Sequence, residues 1–193
     1  MATCSSAIAI DAPPSIRPAT EADLTALSRI YADEVRGGTS SYEYTPPDDA
    51  EFARRFRALK VAGYPFLVAE AGGRAAGFAY ASAYRSREGY RWTVEDSVYI
   101  DADHRGRGVG RALLAALITE CEALGYRRMV AVIGDATNGA SLALHERQGF
   151  HVAARFPGLG FKHGRWLENV HMMRVLGSDG DAPPDAPPLP AGA

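Results

Sequence analysis

Cysteine is scarce: two residues in 193, Cys4 and Cys121. That excludes a disulfide framework or a cysteine-based zinc site and favours a reducing compartment. Charge of one sign is scarce too, the formal net charge being −2. Nothing global therefore recommends nucleic acid or an anionic membrane as a partner, and any anion must be held by a local cluster. Long hydrophobic runs are missing: no stretch approaches the ~20 apolar residues of a membrane span. The opening "MATCSSAIAIDAPPS" lacks the basic start and apolar run of a secretion signal. The chain reads as cytoplasmic.

What is present fits one α/β domain. Hydrophobic residues make up 47% and charged residues 23% of the chain, and a domain of about 150 ordered residues buries a core without metals or disulfides. The ends stand apart: residues 1–14 read as a flexible leader, and "GSDGDAPPDAPPLPAGA", residues 177–193, as a disordered proline-rich tail. The domain is expected over 15–176. Thr20 and Asp23 offer a helix start ahead of the stripe Leu24, Leu27, Ile30 and Tyr31. A second helix follows, with Phe52, Phe56 and Leu59 inward and Gly63 past its end. "YPFLVAEAGGRAAGFAYASAY" is a hairpin turning at Gly72-Gly73. "TVEDSVYID" is a strand, and Val109, Leu113, Leu117, Cys121 and Leu124 mark the buried face of the next helix. "RRMVAVIG" is a buried strand, "NGASLALHERQGF" a short helix, and "HVAARF" with "RWLENVHMMRV" a closing antiparallel pair.

Between the strand ending at Ile100 and the helix opening near Val109 lies "DADHRGRGVGR". A helix start presents unpaired N–H groups and the positive end of the peptide dipoles, and glycines let the backbone curl into an anion-binding nest. Gly106, Gly108 and Gly110 suit that purpose, and Arg105, Arg107 and Arg111 add charge. The pattern is not a P-loop, because no lysine follows the glycines. It is not a dinucleotide fingerprint either, because the third glycine falls one place early and the positions about 20 residues on are arginines.

Arg105, Gly108 and Gly110 do fit [QR]-x-x-G-x-[GA], the acyl-CoA signature of the Gcn5-related N-acetyltransferases. The chain resembles that family through its order of elements. "YPFLVAE", "WTVEDSVYI", "ALHERQGF" and "GFKHGRW" resemble its phosphinothricin and methionine sulfoximine N-acetyltransferase branch. The resemblance implies an acyl-CoA N-acyltransferase fold: a central splayed mixed sheet flanked by about four helices. It implies acetyl-CoA as co-substrate, with no metal, and a small amino acid or analogue as acceptor. Val98, Tyr99 and Ile100 would pair with the pantetheine arm, and Gly106, Arg107, Gly108, Val109, Gly110 and Arg111 would hold the pyrophosphate. Asn138 and Ser141 would meet the arm, although asparagine also suits a helix N-cap. A homodimer follows from the branch alone.

Glu95, which alternates with Ser97 and Tyr99 on one strand face, is the candidate base. An unshifted glutamate lies about 3.7 pKa units below an α-amino group, roughly 5 kcal/mol, so burial or a water chain must assist it. His145 replaces the tyrosine that many relatives place seven residues after the loop asparagine. It can act as helper, acid or acceptor. Arg85 is the candidate for the substrate carboxylate, with Ser86, Arg87, Asp96 and Ser97 around it. Lys162 and Arg165 fit either a solvated hairpin tip or a substrate contact. Tyr42 and Tyr44 either line the pocket or meet a partner subunit. Two other functions compete: acetylation of protein N-termini or lysines, and a non-catalytic acyl-CoA sensor.

Overall fold

The computed structural model describes residues 13–177, 182–184 and 186–188. The expected leader lies almost wholly outside the described residues, as does most of the proline-rich tail. Within the tail, the carbonyl of Ala186 accepts a hydrogen bond from the Trp92 indole at 3.1 Å.

Strands β1 (Ser15–Pro18), β2 (Phe66–Ala71), β3 (Arg74–Ala83), β4 (Thr93–Ile100), β5 (Arg128–Ile133), β6 (His151–Lys162) and β7 (Arg165–Val175) form one sheet in the order β1-β2-β3-β4-β5-β7-β6. Every neighbouring pair is antiparallel except β4 and β5, which run parallel. Helices α1 (Leu24–Gly37) and α2 (Asp49–Val61) cover one face, while α3 (Val109–Ala123) packs on the other against β2, β3 and β4. The short α4 (Gly139–Arg147) follows β5. No helix among the described residues is long and apolar enough to cross a membrane.

Local chemistry explains most of these elements. The Asp23 carboxylate accepts from both the N–H and the hydroxyl of Thr20, closing the turn that launches α1. Asp48 caps α2 by accepting from the Glu51 N–H at 2.8 Å. The hairpin of β2 and β3 turns at Gly72-Gly73, both at positive φ, as a tight two-residue turn demands. Along α3, Val109, Leu113, Leu117 and Cys121 are buried as their spacing predicts, joined by Leu114 and Ile118. Burial pushes the Cys121 thiol far above its ordinary pKa, so it is an inert core residue.

Two features differ from the sequence reading. The closing pair is longer than "HVAARF" suggests, because β6 continues through Pro157 to Lys162 by slipping register between Phe156 and Gly160. Lys162 is no solvated tip. It is 2% exposed, and its ammonium donates to the Ser41 carbonyl at 2.6 Å.

The one parallel junction is where the sheet opens. The β4–β5 ladder runs from Thr93↔Arg128 to Asp96↔Ala131 and stops there, although β4 continues to Ile100 on its β3 side. Beyond Asp96 the two central strands diverge, and the sheet is forked.

Candidate active site

A cavity of about 620 Å³ fills the fork. Glu95, Asp96, Ser97, Val98, Tyr99 and Ile100 of β4 line one wall, and Ala131, Val132, Ile133 and Gly134 the other. Arg105, Gly106 and Gly110 stand at the mouth, with Asn138, Ser141 and His145 along the α4 side.

At the mouth, Gly106 and Gly108 have φ of 74° and 82°, a region closed to most side chains, and Gly108 is the residue from which α3 starts. A side chain at either would meet nothing within 4 Å. Their glycine identity therefore answers to backbone curvature rather than to crowding. The turn brings the unpaired first N–H groups of α3 to the open end of the fork, a geometry suited to an anion. The Arg105 guanidinium lies 3.2 Å from the Glu34 carboxylate. Arg107 and Arg111 are exposed on the same turn, whereas the Val109 side chain is buried in the core and leaves only its backbone to the nest. Asn138 caps α4, accepting from the Ser141 N–H at 3.1 Å, and also lines the cavity.

Strand alternation sends the two carboxylates of β4 to opposite layers. Glu95 shares its face with Ser97 and Tyr99, beside Tyr80. Burial raises its carboxyl above the ordinary glutamate value, the charge of Asp96 adds to this, and Arg85 pulls it partly back. Asp96 turns to the α3 side, away from Glu95 and Ser97, and meets His145. Nε2 of His145 is 3.1 Å from Oδ2 of Asp96, and the two side chains are 4% and 2% exposed. Burial alone would lower the imidazole pKa, but the hydrogen bond and charge of Asp96 outweigh it, so the net shift is upward.

The substrate-side loop is less complete. Arg85, Ser86 and Arg87 are exposed and stand outside the cavity lining; Arg85 lies over the Tyr84 ring at 4.5 Å. The roof of the cavity is instead formed by residues 38–42. Tyr42 lines it, donating to the Gly134 carbonyl and accepting from Asn169. Its ring lies against Gly160, where a Cβ would approach to 2.3 Å, so only glycine lets β6 pass beneath it. Tyr44, 70% exposed, donates to the Phe161 carbonyl at 2.6 Å. Arg165 pairs with buried Asp135. Sequence reasoning missed Glu34, residues 39–41, Tyr80, Asn169 and the β5 wall. The first three sets lie in elements whose periodicity already accounts for them, or in a loop with none.

A fork in a sheet, opening at a glycine-lined helix start, is shaped to take a long extended arm that ends in a diphosphate. The chain belongs to the acetyltransferase (GNAT) family, whose sequence profile matches residues 25–150. It is 48% identical over 162 residues to the phosphinothricin N-acetyltransferase of Alcaligenes faecalis, covering 84% of this chain and 82% of that one. It is 43% identical over 170 residues to the L-methionine sulfoximine/L-methionine sulfone acetyltransferase of Pseudomonas paraeruginosa, covering 88% and 98%. Among solved structures it is similar to a phosphinothricin acetyltransferase from Sinorhizobium meliloti in complex with acetyl-CoA. There the TM-score is 0.89 and the identity 43%, over 94% of this chain and 98% of the other. The fold is that of an acyl-CoA N-acyltransferase, the protein is an acetyltransferase, and acetyl-CoA is its co-substrate.

Proposed function

We propose that this enzyme acetylates the amino group of a small amino acid or analogue of the phosphinothricin, methionine sulfoximine or methionine sulfone type. The observation that carries this reading is Glu95. It is a carboxylate at the inner end of the fork, with its proton affinity raised by burial, under a cavity roofed by residues 38–42. The names and identities of the relatives support the substrate class.

When bound, acetyl-CoA supplies the acyl group as an activated thioester. Val98, Tyr99 and Ile100 offer it the backbone groups that β5 leaves unpaired, and Gly106 to Arg111, with Arg105, offer the nest and charge for its diphosphate. Asn138 and Ser141 border the same channel. Glu95 removes protons from the incoming amine. Its raised pKa narrows the gap to an ammonium that an ordinary glutamate would leave at roughly 5 kcal/mol. His145 gives a proton to the leaving sulfur, and the Asp96 carboxylate beside it favours its protonated form. Arg85, whose charge reaches Glu95, takes the substrate carboxylate, with Ser86 and Arg87 on the same exposed loop and Ser97 on the cavity wall.

A second copy of the chain would cover the exposed apolar side chains of the last hairpin. Phe156, Leu159, Phe161 and Trp166 are 39, 57, 45 and 68% exposed there. Such a row supports a homodimer. The scarcity of cysteine supports a cytoplasmic location.

The test is release of free thiol from acetyl-CoA across the standard amino acids, phosphinothricin, methionine sulfoximine, methionine sulfone and a set of N-terminal peptides. Turnover concentrated on the small zwitterions is expected. Equal rates throughout, or rates only on peptides, would overturn the substrate assignment.

A further inference from the structure

His145 has both ring nitrogens committed. Nδ1 lies 2.8 Å from the Ser141 carbonyl, one turn back along α4. A carbonyl can only accept, so Nδ1 carries a hydrogen. Nε2 faces Oδ2 of Asp96, and an ionised carboxylate also can only accept. Were the imidazole neutral and the carboxylate ionised, two lone pairs would confront each other at 3.1 Å between side chains only 4% and 2% exposed. A proton must lie on that line.

The groups packed around the pair are mostly apolar or neutral. Phe150 presses edge-on against the imidazole with ring centroids 5.1 Å apart. From α3 the nearby titratable group is Cys121, held neutral by burial, and from β4 it is Glu95 on the opposite face. From α4 the contact is the Ser141 backbone. Oδ1 of Asp96 is buried with no hydrogen-bond partner. The Nε2–Oδ2 contact is therefore the hydrogen bond through which the buried Asp96 side chain is satisfied. Asp96 and Ala131 are also the last rung of the β4–β5 ladder, so the pair sits at the apex of the fork.

We propose that Asp96 and His145 form a dyad that shares one proton across the Nε2–Oδ2 line, and that Asp96 is the positioning residue that keeps His145 loaded as the acid of the transfer. The kinetic half of this rests on the reading given under Proposed function; the shared proton does not. The protons balance. An ammonium gives up two in becoming an amide, and Glu95 passes both to solvent. The proton on the Nε2–Oδ2 line passes to the leaving sulfur as the N–C bond forms and the C–S bond breaks, and the dyad takes a new one from solvent through the cavity that both residues line. One proton is released per turnover.

The experiment is imidazole nitrogen NMR on the full chain without acetyl-CoA, with His145→Gln used for assignment, followed by kinetics of Asp96→Asn. In the wild type, His145 should keep hydrogens on both ring nitrogens well above pH ~6.5, where an ordinary imidazole has lost one. In Asp96→Asn the side-chain amide can donate to Nε2, so the ring should become a fixed neutral Nδ1–H tautomer. kcat should then fall by about a hundredfold, the scale of a lost acid catalyst, while KM for the amine and the acetyl-CoA Kd stay put. A wild-type Nε2 that at neutral pH neither carries a hydrogen nor accepts one from Asp96 would overturn the dyad, whether or not the variant folds. Unchanged kcat in a folded Asp96→Asn would overturn the role of Asp96. If the wild type acetylates no amino acid yet retains both ring hydrogens, the dyad stands and the substrate reading falls.

Discussion

The two faces of β4 are made of different material. Towards α1 and α2 the packing is aromatic: Phe78 stacks on Tyr99 at 5.0 Å and Tyr31 meets the same ring edge-on at 5.1 Å, with Phe52, Phe66 and Tyr80 beside them. Towards α3 it is mostly aliphatic, built from Val94, Leu113, Leu114, Leu117, Ile118 and Met129. The tyrosines bring hydroxyls to the edge of their layer, giving Glu95 a wall that is buried yet polar. On the α3 side Asp96 finds its partner in the His145 imidazole. Two adjacent acids on one strand thereby enter different layers, Glu95 with its proton affinity raised by burial and Asp96 bonded to an imidazole.

The comparison can be broken hardest on the aromatic side. Glu95→Gln should lower kcat by roughly a hundredfold to ten-thousandfold, the usual worth of a positioned base, while calorimetry finds acetyl-CoA binding intact. Loss of binding as well would mean that Glu95 shapes the fork rather than the chemistry.

Arg85→Ala sharpens the same side. Removing this cation removes the influence that pulls the Glu95 carboxyl down, so its pKa should rise further. Glu95 acts deprotonated, and the acid limb of kcat/KM should therefore move to higher pH. A charged hydrogen bond to the substrate carboxylate is worth about 1.5–3 kcal/mol, so KM should rise tenfold or more. A limb that stays in place would separate Arg85 from Glu95.

Gly108→Val leaves both faces intact and attacks what they share. A β-branched residue at φ 82° carries strain of about 1–3 kcal/mol. If the turn relaxes to relieve it, acetyl-CoA affinity should weaken about tenfold, as calorimetry would report. Unchanged affinity would remove the nest from the account.

Tyr42→Phe should have the mildest effect. It takes the donor from the Gly134 carbonyl and the acceptor from buried Asn169, at a cost of about 1–3 kcal/mol. Thermal unfolding should shift downward with a modest rise in KM for the amine and little change in kcat.

Much of this was legible in the sequence, and the parts that were not share a cause. The glycine-rich turn, the alternation along β4 and the stripe of α3 are local patterns, and each predicts its element and its buried face. The Asp96–His145 pair joins residues 49 positions apart. It depends on β4 and β5 lying side by side, which no local pattern encodes, so Asp96 read as a neighbour of Glu95 and Ser97 rather than as the partner of His145. Lys162 read as either a solvated hairpin tip or a substrate contact. It is buried because residues 38–42 fold over it from another part of the chain, and that loop has no periodicity to announce it. The extra length of β6 was hidden by Pro157 and two glycines, residues that ordinarily end a strand but here sit where the register slips.

The central claim is that the fork beyond Asp96 and the nest at the head of α3 together receive acetyl-CoA. Amide hydrogen exchange with and without acetyl-CoA tests it most directly. The account predicts that the amides of Val98 to Ile100 and of Gly106 to Arg111 become protected together on binding, while those of α2 do not change. Protection that spares both segments, or that appears only elsewhere in the sheet, would contradict it.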